Sequence, residues 1–312
     1  MTSDVKLSVV LCTYNNARSL EETLSGLNQC NVSNPGQVEI VIVDNNSNDD
    51  TPLAYDKFAK ASQFHTSYFF EKKQGLSNAR NLGLNSSRGD YILFTDDDAT
   101  IPEDWIQLYI NKISETKAQC LYSKISIQWD QPVPEWYIPE YRPLLVHLDY
   151  GDHQLEIDDI HHEFFGKNFC VKRDFLVNLG GFDPKLGRCG DRLIAGEETL
   201  IYQKLVSTKS KVIYFPEAGV GHRLKDREYS IDNIRKLISD SCYSEYHIPK
   251  ITANKKWAGR PLYPLKSNIL GTLPNLTNLI RSILQGKKSY TIYYRLSLQK
   301  NIKIIWLWCT NP

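Results

Sequence analysis

Three short apolar runs in the first hundred residues restrict this chain more than any other feature: LSVVLC (7–12), VEIVIVD (38–44) and YILF (91–94). Each is almost continuously apolar rather than alternating, the pattern of parallel strands covered on both faces. Between them stand segments with helical periodicity, ARSLEETLSGL (17–27), TPLAYDKFAKAS (51–62) and GLSNARNLGLNSS (75–87). Thr51-Pro52 marks a helix start, a cap followed by Pro at the first helical position. TSYFFE (66–71) reads as a shorter strand. Alternating strands and helices predict an α/β fold with a mostly parallel central sheet, flanking helices and right-handed crossovers.

After Trp105 the rhythm loosens. WIQLYINKIS is a predicted helix and CLYSKISIQW (120–129) a single predicted strand. WDQPVPEWYIPEYRP (129–143) holds too many prolines for a central strand. Segment 144–165 reads as irregular and acidic. FFGKNFCVKRDFLVNLGGFD (164–183) is a strand followed by a helix that stops at Gly180-Gly181. GEETLIYQKLVS (196–207) is a helix and KVIYFPE (211–217) a strand. Beyond 248 the α/β rhythm ends. Apolar residues then recur at helical spacing from Ile269 to Leu284, and IKIIWLW lies close to the end. The expected organisation is one α/β domain over 1–248 and a helical appendage over 249–312.

Charge separates the same two parts. From 249 to 312 there are 11 Lys or Arg and no acid, which leaves 26 basic and 36 acidic residues before it. The acidic part argues against nucleic acid as a partner. The basic part suits an anionic partner. The seven cysteines form no C-x-x-C pair and are odd in number. That argues against a disulfide framework or zinc knuckle and for a reducing compartment. No run approaches the roughly 18 apolar residues of a membrane span. MTSDVKLSVVLC lacks the regions of a signal peptide, so a cytoplasmic location is expected. Neither G-x-G-x-x-G nor a P-loop is present.

Ligands of open parallel sheets bind beyond the carboxyl ends of the strands. Here those ends carry Thr13-Tyr14-Asn15, Asp44-Asn45-Asn46-Ser47 and Asp96-Asp97-Asp98. Any one could be a turn or a cap; three on one rim point to a ligand site. Crowded carboxylates raise one another's pKa unless a cation relieves them. A hard divalent ion does so and also binds phosphate oxygens, so Asp96-x-Asp98 suits a metal–diphosphate site. Glu197-Glu198 opens a helix, where it either complements the helix dipole or supplies a general base of raised pKa. His222, in GVGHRLKDRE, is either a packing residue or a metal or phosphate ligand. Trp129, Trp136 and Tyr137 either face a ligand or cover a sheet edge.

Together VVLCTYNNARSLEETLSGL, VEIVIVDNNSNDDT, GLSNARNLGLNSSRGDYILFTDDDATIPEDW, GKNFCVKRDFLVNLGGFDPKLGRCGDRLIAGEETLIYQKL and GVGHR resemble, in order, the family-2 glycosyltransferases, nucleotide-sugar enzymes of the GT-A fold. The resemblance covers roughly 7–225 and implies a nucleotide-binding half near 1–100 and an acceptor half near 101–248. It implies that Thr13, Tyr14, Asn15, Asp44 and Asn46 line the nucleoside pocket. Arg80 would contact the nucleotide, and Asp96 and Asp97 would face ribose and diphosphate. By the same resemblance Asp98, with Asp96 and His222, would hold Mn²⁺ or Mg²⁺. Glu198 falls where the family places its catalytic base, but Glu-Glu stands where the family has Glu-Asp, which leaves Glu197 or Glu198. Gly181 and Phe182, in GGFD, would shape the sugar pocket, and the ligand faced by Trp129, Trp136 or Tyr137 would be an acceptor sugar.

The implied reaction is an inverting, metal-assisted transfer from a nucleotide sugar, a UDP-sugar first, to a glycan or lipid-linked acceptor. The basic 249–312 segment would then lie on an anionic membrane, at its inner face, or pack on protein. Other readings stay open. YILFTDDDAT fits D-x-D-x-T of haloacid-dehalogenase-type phosphatases with Asp96 as nucleophile, although that motif is expected on a first strand. A sugar nucleotidylyltransferase would need a Gly-rich phosphate loop near the N-terminus. An inactive sugar- or membrane-binding relative would not need Asp96, Asp98 and Glu198.

Overall fold

The computed structural model describes residues 5–190, 193–252 and 255–310. The three continuous apolar runs form strands β1 (Leu7–Thr13), β2 (Val38–Asp44) and, further along the chain, β4 (Tyr91–Asp96). Helix α1 (Ala17–Asn28) follows β1, α2 (Thr51–Ala61) follows β2, and β3 (His65–Phe70) leads into α3 (Leu76–Ser86). The four strands lie in the order β3-β2-β1-β4, all parallel, with Thr13 opposite Asp44 and Cys12 opposite Asp96. That register brings the polar ends of β1, β2 and β4 onto one rim. Every residue of β1 and β2 is buried, as their unbroken apolar pattern requires.

The sheet continues through strands the sequence reading resolves less well. After β5 (Ala99–Thr100) and α4 (Trp105–Thr116), the segment expected as one strand over 120–129 is two, β6 (Cys120–Tyr122) and β7 (Ile125–Gln128). They part at Ser123-Lys124 and enter different sheets. The segment expected to be irregular contains β8 (Leu155–Ile157); β9 (Phe169–Lys172) runs straight into α5 (Arg173–Leu179), which ends at Gly180 in the left-handed region (φ 82°). Helix α6 (Glu197–Ser207) follows, then β10 (Val212–Tyr214) and β11 (Val220–Arg223). Pro216 begins a 3₁₀ turn and ends β10 before the expected limit.

The full order is β3-β2-β1-β4-β9-β6-β10-β8, with β9 antiparallel to both its neighbours, and a small sheet β5-β11-β7 lies beside it. This is the mostly parallel sheet with flanking helices that the sequence predicts. One apolar core runs through it, with Phe94 stacked on Phe169 and Phe164 on Phe169.

By its contacts the chain divides into two compact units. The first comprises 1–128, 146–190 and 197–224 and holds both sheets. The second comprises 129–145, 191–196 and 225–312. Its elements are a 3₁₀ turn (Pro139–Leu145), α7 (Ile231–Thr252), the hairpin strands β12 (Lys256–Trp257) and β13 (Arg260–Pro261), α8 (Leu262–Leu284) and α9 (Lys288–Thr310). The expected boundary at 248/249 therefore falls inside α7. Within this unit α9 packs on both α7 and α8. The Trp308 indole N–H donates to Pro261 O at 2.8 Å, and Lys303 Nζ donates to Ser239 O at 3.0 Å.

Candidate active site

The rim of the first unit is a hydrogen-bonded frame. Asn15 and Asn46 both adopt positive φ (47° and 71°), which Asn tolerates better than other non-glycine residues. This lets the loops after β1 and β2 turn toward each other: Asn15 N–H donates to Ser47 Oγ at 2.9 Å and Asn48 N–H to Asn15 Oδ1 at 2.8 Å. Three of the residues expected to touch nucleotide hydrogen-bond within the frame. Thr13 Oγ1 and Asn16 Nδ2 donate to the two carboxylate oxygens of Asp97 at 2.8 and 2.7 Å. Asp44 accepts from Ser47 N–H at 2.8 Å and from the Tyr68 hydroxyl at 2.5 Å. Thr13, Asp44 and Asp97 are buried, whereas Tyr14, Asn15 and Asn46 are exposed at the rim.

Below the rim lies a compact charged network. Asp96 and Asp98 lie either side of Asp97, and Lys167, just before β9, reaches both. Its ammonium is paired with Asp98 and lies 3.4 Å from Asp96 Oδ2. Lys167 is 1% exposed. Its neighbour Asn168 is pinned by Trp105 Nε1 (3.0 Å) and Tyr109 OH (2.8 Å), and donates to Lys124 O and Ala218 O. That anchoring fixes where Lys167 starts. Sequence reasoning missed this residue. The signal was a lone cation inside the apolar FFGKNFCV, costly to bury unless paired.

Arg80, on α3, is the second buried cation, 3% exposed. It donates to Glu197 Oε1 at 2.6 Å and to Gly166 O at 3.2 Å, and lies 3.7 Å from Asp96 Oδ1. Its guanidinium also sits 5.6 Å from the centre of the Phe182 ring. Only glycine fits at 166, because a Cβ there would collide with the Arg80 guanidinium. Arg80 thus joins the aspartates at the end of β4 to the glutamates at the start of α6.

Burial raises the Asp96 carboxyl, but Lys167 and then Arg80 outweigh it and hold Asp96 below the ordinary carboxylate value. Glu197 behaves oppositely. Burial, then the charge of Glu198, push it up to about 8 against the pull of Arg80. Neither Glu197 Oε2 nor Glu198 Oε2 accepts a hydrogen bond from a protein donor. A third carboxyl, Glu163, accepts from the Thr199 hydroxyl. Burial pushes it up to about 7, with Glu198 adding to the rise.

His222, on β11, places Nε2 3.9 Å from Asp98 Oδ2. A carboxylate oxygen and an imidazole nitrogen are both donor types that divalent first-row metals accept. Among the described residues no three His, Cys, Asp or Glu side chains cluster as a complete cage.

The residues expected to meet sugar or acceptor make the following contacts. Phe182 is a core side chain, edge-on to Phe94 at 5.3 Å, and Gly181 meets Asn81, whose side chain bonds both N–H and C=O of Phe182. Trp129 and Trp136 belong to the second unit. Trp129 lies edge-on to Tyr137 (4.9 Å) and Tyr229 (5.7 Å), and Trp136 Nε1 donates to Tyr229 O at 3.0 Å. These rings pack mainly on one another.

Comparison with known proteins agrees with the fold. A model of glycosyl transferase family 2 matches residues 8–179. The glucosyl-dolichyl phosphate glucuronosyltransferase of Haloferax volcanii is 28% identical over 235 residues, 73% of this chain and 72% of that protein. The mannosyltransferase PcManGT from Pyrobaculum calidifontis, solved with GDP-Man and Mn²⁺, aligns over 98% of this chain and 87% of its own at 18% identity, with a TM-score of 0.66. S. aureus TarS 1–349, solved with UDP-GlcNAc, aligns over 81% of this chain and 68% of its own at 16% identity, with a TM-score of 0.58. The sheet and its helices are of the GT-A type these structures share.

Proposed function

Because the chain belongs to glycosyl transferase family 2, a family of nucleotide-sugar-dependent glycosyltransferases, we propose that it moves a sugar with inversion from a nucleoside-diphosphate sugar to a saccharide hydroxyl, free or lipid-linked, with Glu198 as general base. One observation carries this reading. Buried Arg80 is paired with Glu197 at 2.6 Å and lies 3.7 Å from half-buried Asp96, so the carboxylates at the end of β4 and those that open α6 form one site.

Each residue then has a task. Tyr14, Asn15 and Asn46, exposed on the rim, receive the nucleoside, and Thr13, Asp44 and Asp97 hold that rim in shape. Asp98 and His222 would hold a Mn²⁺ or Mg²⁺ ion, which would supply positive charge to the departing diphosphate. Lys167 neutralises Asp96 and Asp98 and offers the phosphates an ammonium. Glu197, pushed up to about 8, keeps its proton near neutral pH, and the base is assigned to its neighbour Glu198. Glu198 takes the acceptor hydroxyl proton as that oxygen bonds to the anomeric carbon. The bond from that carbon to the phosphate oxygen breaks on the opposite face, and its electrons leave with the nucleoside diphosphate. No protein nucleophile is required.

A UDP-sugar remains the first donor to test, since both UDP-GlcNAc and GDP-Man occupy similar folds. Release of UDP or GDP from a panel of donor sugars, with soluble glycan and lipid-linked acceptors and Mn²⁺, tests the proposal. Turnover with one pair, lost in Glu198→Gln, supports it. Turnover that persists in Glu198→Gln overturns the assignment of the base.

A further inference from the structure

Helix α8 is built inside out. The face it turns toward α9 is small and polar: Ser282 is buried and accepts from Thr291 Oγ1 at 3.1 Å, and a Cβ on Gly271 would meet Asn301 Nδ2 at 3.3 Å. Asn268 and Thr272 are half-buried on the same side and bond back to their own helix. The outward face is Ile269, Leu270, Leu273, Leu276, Ile280 and Ile283, all exposed, with Leu270 at 64% and Leu273 at 68%. Their spacing of three and four residues places them in one stripe. A helix of a water-soluble protein does the reverse, apolar toward its neighbour and polar outward. An exposed apolar surface of this kind is normally covered by a partner.

Charge on the page identifies the cover. No acidic residue lies between 249 and 312, where 11 cations stand. Lys266 precedes the stripe by one helical turn, Arg281 flanks it, and Lys287 and Lys288 follow its end; all four are exposed. Trp257, Tyr263 and Trp306 are exposed in the same unit, the residue types that settle at a membrane–water boundary. No helix among the described residues is long and apolar enough to cross a membrane. We infer that α8 lies in the plane of an anionic lipid bilayer, its Ile/Leu stripe among the acyl chains and its cations at the headgroups. A second copy of this chain, equally basic there, would repel the same face.

Flotation of the full chain with vesicles tests this, independently of any sugar transfer. Binding is expected to phosphatidylcholine vesicles containing phosphatidylglycerol and at least tenfold weaker to phosphatidylcholine alone. Leu273→Glu with Ile280→Glu should lower binding at least tenfold, while turnover on a water-soluble acceptor and the circular dichroism spectrum stay unchanged. Brominated acyl chains should quench tryptophan fluorescence of the unmodified protein, a readout that does not depend on a variant folding. The inference is overturned if the unmodified protein ignores anionic vesicles. It is equally overturned if the protein is a dimer that Leu273→Glu dissociates while vesicle binding persists. Loss of turnover in an unmodified, vesicle-bound protein would count against the transferase reading alone.

Discussion

The Lys167 ammonium lies between Asp98 and Asp96, paired with the first and 3.4 Å from Oδ2 of the second. The cation that three adjacent aspartates demand is thus partly built into the chain, from a strand that approaches β4 antiparallel.

Removing Lys167 should therefore expose a need for metal. Lys167→Met leaves buried Asp98 and half-buried Asp96 with less compensation, and breaking a buried pair costs about 3–5 kcal/mol. The expected result is a lower melting temperature than the unmodified protein, with Mn²⁺ alone restoring more of it in the variant than it adds to the unmodified protein. Equal Mn²⁺ shifts in the two proteins would show that Lys167 and the ion do not share the same carboxylates.

Glu198→Gln keeps shape and removes the base. A positioned general base contributes about 10²–10⁴-fold. The account expects kcat to fall within that range while donor affinity, measured by calorimetry, stays within about twofold, since a lost proton transfer leaves ground-state binding alone.

Arg80 has two carboxylates and a carbonyl to serve, and Arg80→Met strips all three. A stability loss of about 3–5 kcal/mol is expected from denaturant titration. Arg80→Lys should recover little, because one ammonium cannot reach both Asp96 and Glu197 as the planar guanidinium does.

The raised carboxyl of Glu197 has a signed consequence for stability. In the folded state it keeps its proton up to about 8, whereas its ordinary value is 4.5. Between those values the folded protein binds more protons than the unfolded chain, so stability falls as pH rises, by about 1.4 kcal/mol per pH unit for this group. Glu163, raised to about 7, acts in the same direction. Glu197→Gln should flatten the dependence of melting temperature on pH between 5 and 8, and an unchanged slope would mean Glu197 is ionised throughout.

Much of this was legible in the residues. The parallel half of the sheet could be read because its strands are continuously apolar and its helices periodic, and α3 and α6 carry Arg80 and Glu197 where the sequence places those helices. Direction and partner are not local properties. Nothing in FCVK says that β9 runs antiparallel between β4 and β6, and SKISIQ keeps its alternation across the point where β6 and β7 separate. Lys167 escaped because its two partners lie about 70 residues away. Thr13, Asp44 and Asp97 looked like ligand residues for the reason that makes them good frame residues: short polar side chains at strand ends satisfy whatever lies nearest. The apolar stripe of α8 was visible as a period, but only packing shows that it faces outward.

The most direct test of the central claim is calorimetric binding of UDP and GDP, each with and without Mn²⁺, to the unmodified protein and to Asp98→Ala. The account predicts Mn²⁺-dependent binding of at least one diphosphate, weakened at least tenfold in Asp98→Ala. Binding that is indifferent to both Mn²⁺ and Asp98, or no binding of either nucleotide, would contradict a metal–diphosphate site at the end of β4.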